Sequence, residues 1–118
     1  MSREIKFRAW DGSEMLTMPL DGFYGLSRFF GFISATSDVM QFTGLQDKNG
    51  VDIYESDILI APNPHYQPHN GSSFASVGAV SFENGLWDSQ GVWIGYWQPH
   101  EIEVLGNIHE NPELLEEK

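Results

Sequence analysis

Met40-Gln41-Phe42-Thr43-Gly44-Leu45-Gln46-Asp47-Lys48-Asn49-Gly50, continuing as Val51-Asp52-Ile53-Tyr54-Glu55-Ser56-Asp57-Ile58, decides the fold class. Val39 to Leu45 is a strand candidate. Gln46 to Gly50 is a hairpin turn, because Asn49 and Gly50 tolerate the positive φ angles that tight hairpins need. Val51 to Tyr54 returns as a second strand. Glu55-Ser56-Asp57 makes a short corner, and Ile58 to Ala61 begins a third strand. Phe42, Leu45, Ile53, Tyr54 and Ile58 are the expected core of this unit. Thr43-Gly44 and Asp47 to Gly50 are expected to set a turn, and Asp57 to cap backbone amides at the corner. Gly44, Asp47, Asn49, Gly50 and Asp57 are therefore read as structural.

Outward from this stretch the chain keeps the same texture. Ile5, Phe7 and Ala9 alternate with Lys6, Arg8 and Trp10, the period of a half-buried strand that Asp11-Gly12 ends. Residues 13–21 read as loop. Residues 23–34 are aromatic and broken by Gly25 and Gly31, which favours one or two strands over a helix. Residues 62–73 hold Pro62, Pro64 and Pro68 and little that is apolar, and read as a variable loop. Val77 to Phe82 is a strand, turned by Glu83-Asn84-Gly85 into Leu86-Trp87. Asp88 to Gly91 turns the chain again. Val92 to Trp97 reads as a strand with bulky residues on both faces, and Ile102 to Leu105 as the last strand. Asn111 suits an N-cap and Pro112 a first helical position, so a short helix is expected over 112–116. The expectation is a single domain over residues 1–118, mainly β, of short antiparallel strands with a short C-terminal helix.

Composition narrows the function classes. The chain has 118 residues, no cysteine and a formal net charge of −11. Without cysteine there is no disulfide framework, thiolate zinc site or thiol nucleophile. Six basic residues against seventeen acidic ones disfavour direct nucleic-acid binding, which depends on Lys and Arg neutralising phosphates. An acidic surface favours basic partners. No apolar run approaches the roughly 20 residues of a membrane helix, and the first residues carry no signal-peptide core. A cytoplasmic location in a bacterial cell, without membrane association, is expected.

The residues that carry chemistry elsewhere form no recognisable constellation. From Asp47 a calcium loop would need an oxygen ligand at its fifth position, which is Val51, and glycine at its sixth, whereas Gly50 falls at the fourth, so the pattern fails. His65 and His69 are four apart, but Pro64 and Pro68 oppose the helix that would place them on one face. His100 and His109 lie elsewhere. No nucleophile elbow or Gly-rich phosphate loop exists. Glu101 and Glu103 would share a strand face, which more often marks a solvated surface than an acid–base pair. No catalytic residue, cofactor or metal is expected, and the protein is read as non-enzymatic.

Trp87, Trp93, Tyr96 and Trp97, with Pro99 close behind, are the best functional lead. A strand with large apolar groups on both faces is either covered on both sides or exposes a patch. Two readings stand: the four rings fill the core, or they present an interaction surface.

Three separated segments share an order and wording with a known family. They are Arg3-Glu4-Ile5-Lys6-Phe7-Arg8-Ala9-Trp10-Asp11, the middle stretch quoted above, and Gly106-Asn107-Ile108-His109-Glu110-Asn111-Pro112-Glu113-Leu114. Together they resemble the YopX family of phage and prophage proteins, which is uncharacterised in function. The resemblance implies a small SH3-like barrel or roll and supplies no catalytic residues. The family's Tyr-Glu-Gly-Asp is Tyr54-Glu55-Ser56-Asp57 here, so Ser56 is strained if that position has positive φ. The function expected is a protein-interaction module with an unknown host or phage protein as partner. A small homo-oligomer and an acidic nucleic-acid mimic are the alternatives.

Overall fold

The computed structural model describes residues 6–17, 38–63, 75–83 and 85–115. The chain divides into two compact units, Met1–Phe42 and Thr43–Lys118. Among the described residues the fold is mainly β, built of short antiparallel strands and three short 3₁₀ turns. Ile5, the aromatic stretch 23–34 and most of the Pro-rich loop fall outside the described residues.

In the first unit β1 (Phe7–Trp10) pairs with β2 (Met15–Thr17), with Trp10 opposite Met15. It also pairs with the start of β3 (Asp38–Gln46), with Phe7 opposite Gln41 and Trp10 opposite Asp38. The segment expected to be loop from residue 13 thus contains a strand. Its turn is set by Asp11, whose Oδ1 accepts the N–H of Ser13 and of Glu14, each at 2.8 Å. Two such bonds fold the chain back within three residues, and pairing with β1 then extends Met15–Thr17. Ala9 is fully buried on β1, and the Lys6 ammonium lies 4.3 Å from the Phe42 ring centroid.

In the second unit β3 continues and meets β4 (Asp52–Tyr54) through the Asp47–Gly50 turn. Gly50 has φ +78°, whereas Asn49 stays at negative φ. Thr43-Gly44, expected to set a turn, lies instead within β3. Gly44 has φ +90°, and Thr43 Oγ1 donates to Ile53 O at 2.7 Å while accepting the Leu45 N–H at 3.2 Å. The hydroxyl bridges the two strands at the residue where the backbone departs from extended geometry.

β5 (Asp57–Pro62) is the centre of a three-stranded sheet, flanked by β10 (Glu103–Asn107) and β6 (Ala75–Ala79). Asp57, Ile58, Leu59 and Ala61 are all buried, which explains why this strand reads as an apolar run instead of an alternation. A register shift between Val104 and Gly106 leaves Leu105 as an extra, exposed residue.

The single strand expected over Val77 to Phe82 is two. β6 pairs with β5, and β7 (Ser81–Glu83) pairs instead with β8 (Leu86–Ser89). Val80 is the hinge. Its N–H donates to Asp57 O and its O accepts the Ser56 N–H, both at 2.8 Å, and its side chain is buried. β9 (Val92–Trp93) completes the second three-stranded sheet.

The core joins Ile53, Leu59, Ala61, Val80, Ile94, Trp97 and Ile102, with Leu45, Trp87, Val92 and Val104 packed against it. Burying one side chain the size of Ile53 stabilises by about 1.5–3 kcal/mol.

The C-terminal helix expected over 112–116 is a 3₁₀ turn, Pro112–Leu115. Asn111 does not cap it with its side chain. Asn111 Oδ1 turns back to accept the Asn107 N–H at 3.2 Å, and a Cβ on Gly106 would sit 2.2 Å from that oxygen. Asn107 in turn accepts the N–H groups of His109 and Glu110 on its Oδ1. The segment is a knot of Asn-centred turns, which consumes the polar groups a longer helix would need.

Candidate functional site

The 87–97 aromatic cluster is divided by the local backbone. Gln90 (φ +59°) and Gly91 (φ +85°) form the two-residue loop between β8 and β9. Two consecutive positive φ values mark a type I′ turn, whose twist matches that of the strands it joins. Asp88 Oδ1 accepts the Gly91 N–H at 3.2 Å and closes the loop. This fixes Ser89 opposite Val92 and Asp88 opposite Trp93. Because side chains alternate along each strand, Trp87, Ser89 and Val92 share one face and Leu86, Asp88 and Trp93 the other. The first face packs on the core. The second leaves Leu86 and Trp93 each 51% exposed. Phe82, opposite Trp87, meets its ring edge-on at 4.8 Å and is itself exposed.

The strand expected to run to Trp97 stops at Trp93. Ile94–Tyr96 is a 3₁₀ turn, so the period changes from two to three. Ile94 and Trp97 both turn inward, with Ile94 fully buried and Trp97 4% exposed. Trp97 Nε1 donates to Pro62 O at 2.9 Å, which satisfies the one polar atom of a buried indole. Tyr96 stays 53% exposed and meets Trp97 edge-on at 5.8 Å. A Cβ on Gly95 would fall 2.2 Å from the Trp93 ring. The indole therefore lies directly on the glycine backbone and is held there while half of it faces solvent.

Of the four ring residues singled out in the sequence, Trp87 and Trp97 thus belong to the packed side. Trp93 and Tyr96 form the exposed one. Leu86 and Asp88 join them and are missed by reading along the chain, whereas Phe82 is exposed on the Trp87 side. The Gln90-Gly91 loop carries the signal, since pairing Ser89 with Val92 puts Leu86, Asp88 and Trp93 on one face.

The structural motif residues have defined roles. Asp47 is buried, and its Oδ1 accepts the N–H of Asn49 (2.8 Å) and Val51 (2.9 Å). Its Oδ2 accepts the Val104 N–H at 2.9 Å, and Lys48 N–H donates to Ile102 O. One carboxylate thus shapes the turn and fastens it to β10. Burial works to raise the Asp47 pKa, but the Val104, Val51 and Asn49 N–H groups, with the Lys48 charge, outweigh it and hold it below the usual carboxylate value. Asp57 Oδ2 accepts the Tyr54 N–H at 2.7 Å and closes the corner, as expected. Ser56 has φ +75°, and its carbonyl accepts the Ile108 N–H at 3.0 Å. The middle stretch and the Gly106–Leu114 segment are thereby joined through backbone bonds.

A groove of about 310 Å³ lies beside β5 and is lined by Lys48, His100, Glu101 and Glu103 among others. Its charged groups are engaged. Lys48 Nζ pairs with Glu103 at 3.2 Å, and Glu101 accepts the Gln98 N–H at 2.7 Å. Glu101 lies in the 3₁₀ turn Pro99–Glu101 and Glu103 opens β10, so they do not share a strand face. Among the described residues no three His, Asp or Glu side chains are grouped to hold a metal. His65 and His69 lie outside the described residues. No described helix is long and apolar enough to cross a membrane.

The sequence profile described as "YopX protein" matches residues 26–116. The chain belongs to the YopX family. Protein EF1440 from Enterococcus faecalis is 30% identical, and the match covers 98% of this chain and 100% of that one at a TM-score of 0.64. Protein yopX from Bacillus subtilis is 20% identical, with 94% and 98% covered at a TM-score of 0.57, and shares the fold. No curated protein matches the chain. In the middle stretch Asp47, Ser56 and Asp57 fasten turns and corners. Among the described residues, the β7–β9 sheet and the turn after it expose Leu86, Trp93 and Tyr96.

Proposed function

We propose that this YopX-family chain is a phage-derived, non-enzymatic protein-interaction module that binds a host or phage protein through Trp93, Tyr96 and Leu86. The observation that carries the reading is the exposure of Trp93. Tryptophan is among the more buried residues on average, and its neighbours Trp87 and Trp97 follow that rule. Trp93 is held half in solvent by a glycine that accepts its ring and by a loop that fixes its face. Aromatic side chains that are rigid and exposed supply contact area at low entropic cost, as interface anchors do.

The test compares the wild-type protein with a Trp93→Ser/Tyr96→Ser double variant as baits in nuclease-treated bacterial lysate. The expected result is a protein retained by the wild type and lost by a double variant that unfolds at the same temperature. Identical captured sets from both baits refute the reading. Retention of a second copy of the chain, confirmed by solution mass, assigns the face to self-association instead.

A further inference from the structure

We infer that the outer face of the β7–β9 sheet seats a cationic side chain, best an arginine, from a basic segment of the partner, with the cation over the Trp93 ring and Asp88 as its counter-ion. The inference rests on the interaction reading above and adds the chemistry of the partner. Its geometry begins with register. Asp88 stands directly opposite Trp93, so carboxylate and indole leave the sheet on one face. Directly opposed residues have Cβ atoms about 4.5–5.5 Å apart, within reach of a single guanidinium. The Trp93 ring rests on the backbone of Gly95, and the residue is 51% exposed. A cation above an indole face is attracted by the ring quadrupole, and an adjacent carboxylate adds to that attraction. Arginine suits the pair better than lysine, because its plane stacks on the ring while its fork bonds the carboxylate.

Charge supplies the independent argument. Residues 43–118 hold twelve of the seventeen carboxylates and two of the six basic residues, Lys48 and Lys118. Ten of the chain's eleven net negative charges therefore sit in the unit that bears the aromatic face. From Asn49 to Glu117 the chain contains no lysine or arginine at all. Lys48 is engaged with Glu103. Among the described residues of this unit Lys48 is the one lysine or arginine, so the ring and carboxylate stand side by side in a strongly negative field. A neutral or acidic partner gains nothing from that field, and a basic one is drawn to it.

The test titrates the full chain, labelled with ¹⁵N, with a hexa-arginine peptide and with its uncharged hexa-citrulline counterpart. The salt is about 0.15 M, where charges more than ~8 Å apart are screened. The expected result is a saturable shift of the Trp93 indole N–H with hexa-arginine only, while the Trp97 indole stays in place. Trp93→Leu and Asp88→Asn each weaken binding roughly 3- to 30-fold, the span of a ring–cation contact from exposed to desolvated. Asp88→Asn keeps the oxygen that closes the Gly91 loop, so it decides the matter should Trp93→Leu disturb the fold. Glu113→Gln, the same charge change in the Pro112–Leu115 turn, has little effect. Equal losses from Asp88→Asn and Glu113→Gln, or an unmoved Trp93 indole at saturation, overturn the inference. If the indole is unmoved but the double serine variant still loses its lysate partner, the interaction reading stands and the cation seat falls. If the peptide saturates at Trp93 and the double variant keeps every partner, the cation seat stands and the interaction reading fails.

Discussion

Ser56 occupies a backbone position that its side chain opposes, and replacing it with glycine should stabilise the protein. Its φ of +75° follows a Glu55 at negative φ, the φ pattern of a type II turn, which favours glycine at the second central residue. The surroundings hold it there. Its N–H donates to Val80 O, its carbonyl accepts from Ile108, and Asp57 closes the corner onto Tyr54. A left-handed conformation costs an L-residue about 1–2 kcal/mol. Glycine removes that cost and forfeits roughly 0.5–1 kcal/mol through the greater freedom of its unfolded chain. The net gain for Ser56→Gly is about 0.5–1 kcal/mol. For a domain of this size that raises Tm by roughly 2–5 °C. Thermal unfolding followed by far-ultraviolet circular dichroism measures it, with Ser56→Ala as the control that removes the hydroxyl and keeps the strain. The reasoning is refuted if Ser56→Gly leaves Tm unchanged or lowers it, or if Ser56→Ala gives the same gain.

Asp47→Ala leaves three backbone N–H groups without their acceptor and is expected to cost about 2–4 kcal/mol in urea unfolding, because bonds to a charged group are worth more than neutral ones. The folded Asp47 pKa is depressed, so its contribution is complete above the ordinary carboxylate pKa and is lost as pH falls through the folded value. Asp47→Asn should therefore flatten the acid limb of the stability profile below about pH 4. Trp97→Ala empties a core site and breaks the bond to Pro62, with an expected loss of about 3–5 kcal/mol. Trp93→Ala should cost less than about 1 kcal/mol by the same denaturation assay, since surface changes away from special features are small. Gly95→Ala should displace the Trp93 ring, seen as a shift of its indole resonance, and weaken partner capture without a comparable loss of Tm.

Much of the scaffold was legible because its signals are local. The Asp47–Gly50 turn, the Asp57 cap and the buried run of β5 each follow from residues within a few positions of one another. The conditional reading of Ser56 was legible too, since chirality alone says what a positive φ would cost there. The elements that were misread depend on partners elsewhere in the chain. Met15–Thr17 carries no strong alternation and becomes a strand through pairing with β1. Val77 to Phe82 reads as one strand until Val80 bonds the Ser56–Asp57 corner and sends its two halves to different sheets. Asn111 reads as a helix cap, but its carboxamide is drawn back to Asn107 because Gly106 leaves room for it.

The division between Trp93 and Trp97 marks the same boundary at the candidate site. The sequence by itself determined that residues 87–97 concentrate bulky rings in an acidic, cysteine-free, mainly β chain. It also placed that chain in its family through the middle and terminal segments. Alternation and composition suffice for this, because they act through covalent neighbours. Which rings face solvent was decided only by tertiary structure. The Gln90-Gly91 turn set the strand register, and the 3₁₀ turn then changed the period from two to three. The carbonyl of Pro62 took the Trp97 indole, while Gly95 gave Trp93 a surface to lie on. These are contacts between groups that no spacing rule brings together, and they turn one aromatic run into half a core and half a surface.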